Sequence, residues 1–225
     1  MVNPKMQQPC LVVLDVDSTL IENEVIELLA AHAGVEAEVA AITERAMRGE
    51  LDFAESLQER VATLEGLPIR IFDEVRNQIT VTAGVPDLIR AVKAAGGFIG
   101  VVSGGFHEVL DPLAESLGLD FWKANRLSIK DEYLTGKVLG EIVDAEVKAQ
   151  TLTQWAKETG IPLDRTIAIG DGANDLKMMA VAGLSIAFNA KPIVREKAME
   201  RVDEKDMRLV LPLIGLEMPL CPSRA

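Results

Sequence analysis

Residues 11–19 read Leu11-Val12-Val13-Leu14-Asp15-Val16-Asp17-Ser18-Thr19: four apolar side chains that stop at a carboxylate. A short unbroken apolar run is the pattern of a parallel strand buried on both faces. Two other stretches repeat it. Phe98 to Val102 ends at Ser103-Gly104-Gly105, and Thr166 to Ile169 ends at Gly170-Asp171. Each is followed by a helical pattern. Strands alternating with helices predict an α/β fold with a Rossmann-like parallel sheet. Ligands of such sheets bind beyond the carboxyl ends of the strands, and all three polar clusters fall at that edge.

The chain between the first two strands has a different character. Residues 22–79 read as helices broken at Gly34, Gly49 and Gly66, with Pro68 suited to a helix start. Residues 21–80 hold 13 acidic and 5 basic side chains, a net of −8 out of −12 for the whole chain. We expect residues 21–80 to form a small helical cap over an α/β core made of 1–20 and 81–225. Asp52 and Glu55 have capping-box spacing, opening a helix from Phe53 to Leu64. Phe53, Leu57, Arg60 and Leu64 share one stripe of it, so Arg60 either snorkels to water or meets an anionic group in a pocket. Further on, residues 127–138 predict a hairpin turning near Asp131-Glu132. A helix from about Val147 to Thr159 follows, ended by Gly160.

The chemistry lies in the three clusters. Asp15 and Asp17, two residues apart at a strand end, project in a similar direction if the backbone stays extended. Close carboxylates repel unless a cation or a shared proton compensates. Asp171, at another strand end, adds a hard oxygen ligand suited to Mg²⁺; Asp175 is either a ligand or a support. Ser103-Gly104-Gly105 offers a hydroxyl and closely approaching amides to an anion. Lys148, near a helix start, is a point charge for a phosphate. Together these supply what phosphoryl transfer needs: a carboxylate nucleophile at Asp15, a proton donor at Asp17, and neutralisation of phosphate charge.

Composition narrows the partners. The chain is 48% hydrophobic, 26% charged and acidic overall, which argues against nucleic acid and anionic membranes. Cys10 and Cys221 give neither a disulfide framework nor metal spacing. The N-terminus lacks a secretory signal, and no apolar run reaches the roughly 20 residues of a membrane span. A cytoplasmic enzyme with a small-molecule substrate is expected; no oligomeric state is indicated.

The stretch Asp15 to Thr19, with Ser103, Lys148 and the run Gly170 to Asp175, resembles the motifs of the haloacid dehalogenase superfamily of phosphatases. Over about residues 11–210, DSTLIENEVI, VVSGGF, ANRL and GDGANDLKMM resemble its members that hydrolyse O-phosphoserine in serine biosynthesis. The resemblance implies an aspartyl-phosphate intermediate on Asp15 and acid/base work by Asp17. It implies Mg²⁺ held by Asp15, the Asp17 backbone carbonyl and Asp171. Ser103, Gly104 and Lys148 would bind phosphate, with Asn174 and Asp175 supporting the site. In the cap it implies that Glu24 meets an ammonium, Arg60 a carboxylate, and that Met47 and Phe53 form an apolar lid. Val16 stands where many relatives carry an aromatic. The tail from about Leu216 matches nothing in the family, and no regulatory domain is expected. Phosphoryl transfer to another alcohol such as homoserine, a phospho-aspartate receiver module and a non-enzymatic metal binder are the competing readings; a cation pump would need membrane spans.

Overall fold

The structure is a computed structural model that describes residues 9–48 and 50–217. Seven strands form one sheet: β1 (Leu11–Leu14), β2 (Phe98–Phe106), β3 (Phe121–Lys130), β4 (Tyr133–Leu139), β5 (Thr166–Gly170), β6 (Leu184–Phe188) and β7 (Glu200–Val202). Their order is β4-β3-β2-β1-β5-β6-β7, with only β4 antiparallel to its neighbour. The chain winds outward from β1 through β2, β3 and β4, then returns to fill the other side. β1 is therefore the switch point, and its carboxyl end opens between those of β2 and β5.

Alternation along the strands builds two apolar layers. Val12 and Leu14 pack with Ile99, Val101, Ile167 and Ile169 in one layer. That layer is closed by α5 (Val85–Ala94) through Leu88 and Val92 and by α6 (His107–Leu117) through Val109 and Leu110. Leu11, Val13, Val102 and Ala168 face the other side, against α7 (Ala145–Thr159) and α8 (Leu176–Val181). Asp144 starts α7 by accepting the Val147 N–H at 2.9 Å, and Gly160 ends it at a φ of 69°.

Between β1 and α5 lie α1 (Val25–Ala33), α2 (Glu36–Met47), α3 (Phe53–Ala62) and α4 (Ile71–Arg76). The chain enters and leaves this insertion side by side. Glu22 N–H donates to Thr80 O at 2.9 Å and Thr82 N–H to Leu20 O at 3.0 Å. Val25, Leu29, Leu57, Val61 and Phe72 of the insertion continue the layer that contains Leu14. The insertion is also tied to the β3–β4 hairpin: Gly66 N–H donates to Leu134 O at 2.9 Å, and Leu134 N–H to Leu67 O at 2.8 Å.

Several details differ from the sequence reading. Pro68 does not start a helix. It lies in an isolated bridge with Tyr133, where its missing N–H costs no pairing, and α4 begins at Ile71. β2 does not stop at Ser103. It runs on to Phe106, with the ladder to β3 interrupted between Val102 and Phe106, so residues 103–105 bulge from the sheet. The α3 capping box is present as expected, with Glu55 N–H donating to Asp52 Oδ1 at 2.8 Å and Asp52 N–H to Glu55 Oε2 at 2.9 Å. The helix ends at Ala62, two residues early. The hairpin turns at Asp131 and Glu132, both at positive φ.

Because Leu88 is fully enclosed between α5 and the sheet, Leu88→Ala should lower the unfolding free energy by about 2–5 kcal/mol in urea denaturation. A loss below about 1 kcal/mol would contradict this packing.

Candidate active site

β1 delivers Asp15 to the switch point, where its N–H donates to Ile169 O at 2.9 Å. Its carboxylate is buried, and Oδ1 accepts the Val16 N–H at 2.7 Å. Lys148, from the first turn of α7, places Nζ 2.8 Å from Asp15 Oδ1 and 2.8 Å from Asp175 Oδ1. This lysine has no exposed surface. Burial alone would lower its pKa, but Asp15 and Asp175 overcome that and raise it, so the ammonium stays charged. Asp175 Oδ2 in turn accepts the Gly172 N–H at 3.1 Å, which folds the loop after β5 back onto the site.

Asp15 and Asp17 both take extended φ/ψ, −69°, 165° and −63°, 135°, and the chain turns directly after them. Ser18 takes a φ of 57°, and residues 16–20 form one wide turn closed by Ile21 N–H to Val16 O at 3.0 Å. The turn sets the Asp17 carboxylate beside the bulge; a methyl group on Gly105 would lie 3.3 Å from its Oδ2. Burial, then Glu24 and Asp15, push the Asp17 pKa well above the usual carboxylate range. Ser18 supplies a detail the sequence did not suggest: its hydroxyl donates to Glu24 Oε1 at 2.7 Å. The left-handed backbone at a non-glycine residue is the price of that contact.

A cavity of about 530 Å³ opens above these groups, and Asp15, Asp17, Gly104, Gly105, Asp171 and Asn174 line its floor. Glu24, Phe53, Ser56 and Arg60 line it from the insertion. Phe53 rests on the bulge, since a methyl group on Gly104 would lie 2.8 Å from its Cζ. Arg60 Nε donates to Ser56 O at 3.1 Å. Among the described residues no carboxylate lies within 4.0 Å of the Arg60 guanidinium; burial lowers its pKa, and Glu24 and Asp17 act in the opposite sense. Burial also raises the pKa of Glu24. Ser103 and Lys148 lie beneath the floor, with Ser103 Oγ accepting the Gly105 N–H at 2.8 Å. The Met47 side chain lies outside the described residues. Lys191, which the sequence reading missed, also lines the cavity, and its N–H donates to Asp171 O at 3.0 Å. Its signal was positional: it follows β6 at the same sheet edge.

Asp15, Asp171 and Asp175 bring carboxylate oxygens within 4.8 Å of one another. Asp17 contributes no carboxylate to this group. Burial, then Asp15, push Asp171 up to about 6 and Asp175 up to about 7. Three clustered carboxylates with one enclosed ammonium are short of positive charge, and their all-oxygen donor set fits a hard divalent cation.

Fold and site together define the class. Residues 12–180 match the family of haloacid dehalogenase-like hydrolases, and the chain belongs to that family. Within it, the chain is 57% identical to a phosphoserine phosphatase of Streptomyces coelicolor over 92% of its own length, and spans about half the length of that relative. It is 53% identical to the phosphoserine phosphatase of Streptococcus thermophilus over 91% of this chain and 95% of that one. A solved phosphoserine phosphatase, captured as an analogue of its phospho-aspartyl intermediate, superposes with a TM-score of 0.86 at 45% identity, covering 92% of this chain and 99% of its own.

A raised carboxylate pKa means that the folded state keeps a proton the unfolded chain has released. Metal-free protein should therefore lose stability as pH rises from about 4 through 6 to 7, and a cation on the ionised cluster should restore it. Calorimetry of metal-stripped protein should show Mg²⁺ raising the melting temperature clearly near pH 7.5 and hardly near pH 5. Equal shifts at both, or none at either, would contradict a cation site.

Proposed function

We propose that this chain hydrolyses O-phosphoserine to serine and phosphate through an aspartyl phosphate on Asp15. The observation that carries the reading is the opposition of charges across one cavity. A buried carboxylate held by Lys148 lies on the floor, while Arg60 and Glu24 face it from the insertion. A small zwitterion bearing a phosphoester matches that arrangement: Arg60 pairs with its carboxylate and Glu24 with its ammonium. We assign residues 21–80 as the cap that selects the substrate. Phe53 closes it over Gly104.

In the first step an Asp15 carboxylate oxygen attacks phosphorus, and the bond to the serine oxygen breaks. The protonated Asp17 gives its proton to that oxygen as it leaves. In the second step Asp17, now ionised, removes a proton from water, which attacks the aspartyl phosphate and releases inorganic phosphate and free Asp15. Ser103, Gly104 and Lys148 bind the phosphate oxygens, and Asn174 and Asp175 hold the loop around them. Asp15, the Asp17 carbonyl and Asp171 would hold Mg²⁺, supported by Asp175. Its chemistry would be to neutralise carboxylate and phosphate charge. The solved phospho-aspartyl analogue supports this two-step route over a receiver module or a passive metal binder. No helix among the described residues is long and apolar enough to cross a membrane. We assign the reaction to serine biosynthesis in the cytoplasm.

In a phosphate-release assay with Mg²⁺, phosphoserine should be hydrolysed far better than glycerol phosphate or sugar phosphates. Arg60→Ala should lose at least about 10-fold in kcat/KM, since a charge-assisted contact contributes roughly 1.5–3 kcal/mol. Equal rates across the panel, with Arg60→Ala unchanged, would overturn the substrate assignment.

A further inference from the structure

Asn125 is 1% exposed, and its amide is used at both ends by backbone groups of different elements. Nδ2 donates to Gly104 O at 2.8 Å, and Oδ1 accepts the Val143 N–H at 2.8 Å. The first partner lies in the 103–105 bulge. There Val102 is the last residue of β2 paired in register with β3, and pairing resumes at Phe106 opposite Asn125 itself. The second partner directly precedes Asp144, which caps α7 and, through its carbonyl, accepts the Lys148 N–H at 2.9 Å. The Asn125 side chain thus links the loop that carries Ser103 and Gly104 to the helix start that carries Lys148.

We propose that Asn125 is a positioning residue for anion binding, setting the spacing between the Gly104 loop and the Lys148 helix. This rests on the reading that those two elements bind the phosphate. The chemistry requires an amide, because one flat group must both donate and accept at fixed separation. An aspartate at 125 keeps the acceptor for Val143 N–H but sets an oxygen against Gly104 O. A leucine of similar shape leaves both backbone groups unpaired in a buried place. A merely structural role would lower thermal stability and leave anion affinity alone.

The test is titration of the full chain, in Mg²⁺ buffer, with inorganic phosphate by calorimetry, alongside phosphoserine turnover. Asn125→Asp and Asn125→Leu should bind phosphate at least about 10-fold more weakly than wild type. Their KM for phosphoserine should rise with kcat little changed, because ground state and transition state share the displaced loop. Variants that keep phosphate affinity within about 2-fold of wild type would overturn the proposal, even with a lowered melting temperature. If neither variant folds, the Asn125 side-chain amide resonance of ¹⁵N-labelled wild type decides: it should shift when phosphate binds, and an unmoved signal overturns the role. Wild-type phosphate binding without phosphoserine turnover would defeat the substrate reading alone. Phosphoserine turnover with anion affinity indifferent to Asn125 would defeat this inference alone, and wild type that binds no phosphate would defeat both.

Discussion

The structure depends on one buried ammonium. Lys148 is enclosed between Asp15 and Asp175, at 2.8 Å from each, with no water-facing surface of its own. Such a charge is tolerable only while paired, and removing one partner of a buried pair typically costs about 3–5 kcal/mol. Three segments far apart in sequence must therefore arrive together: the end of β1, the first turn of α7 and the loop after β5. Each is fixed locally. Asp144 caps α7, Gly172 N–H holds Asp175, and the sheet ladder holds Asp15. Gly170 has to be glycine, since a methyl group there would lie 2.3 Å from Asp175 Oδ2.

One ammonium leaves the site short of positive charge, and the carboxylates meet different surroundings. Asp15 has Lys148 beside it. Asp17 has Glu24 and Asp15 as neighbours, and burial with their charge raises its pKa. Asp171 has no ammonium or guanidinium within 4.0 Å among the described residues and sits above its ordinary pKa, a position that suits a cation ligand. Arg60 and Lys191 add positive charge to the lining of the cavity. Two chemically alike side chains at the same strand end thus sit in different electrostatic surroundings.

Much of this was legible in the sequence, for physical reasons. A parallel strand covered on both faces must be apolar throughout, so Leu11 to Leu14 and the abrupt change at Asp15 announced both the sheet and its functional edge. Arg60 on an apolar stripe left two readings open, a snorkelling side chain or a pocket, and it lines the cavity. What stayed hidden depended on backbone geometry that composition does not encode. The turn at Ser18 rests on a left-handed φ at a residue that seldom takes one, so its hydroxyl contact with Glu24 could not be foreseen. The bulge at 103–105 and its tie to Asn125 join residues across strands, and Asn in isolation marks only a turn. Pro68 misled because a residue without an N–H suits a strand edge as well as a helix start.

If Asp15 alone takes the phosphoryl group while Asp17 moves protons, removing Asp17 should separate the two steps of the reaction. An aryl phosphate needs little help from an acid in the first step, so Asp17→Asn should accept its phosphoryl group yet fail to activate water for the second. Rapid quenching of that variant, followed by peptide mapping, locates the trapped group. The account predicts that it accumulates on the peptide containing Asp15, with fragmentation placing it on Asp15, and that Asp15→Asn traps none. Phosphate found on another residue, or none trapped while turnover continues, would contradict it.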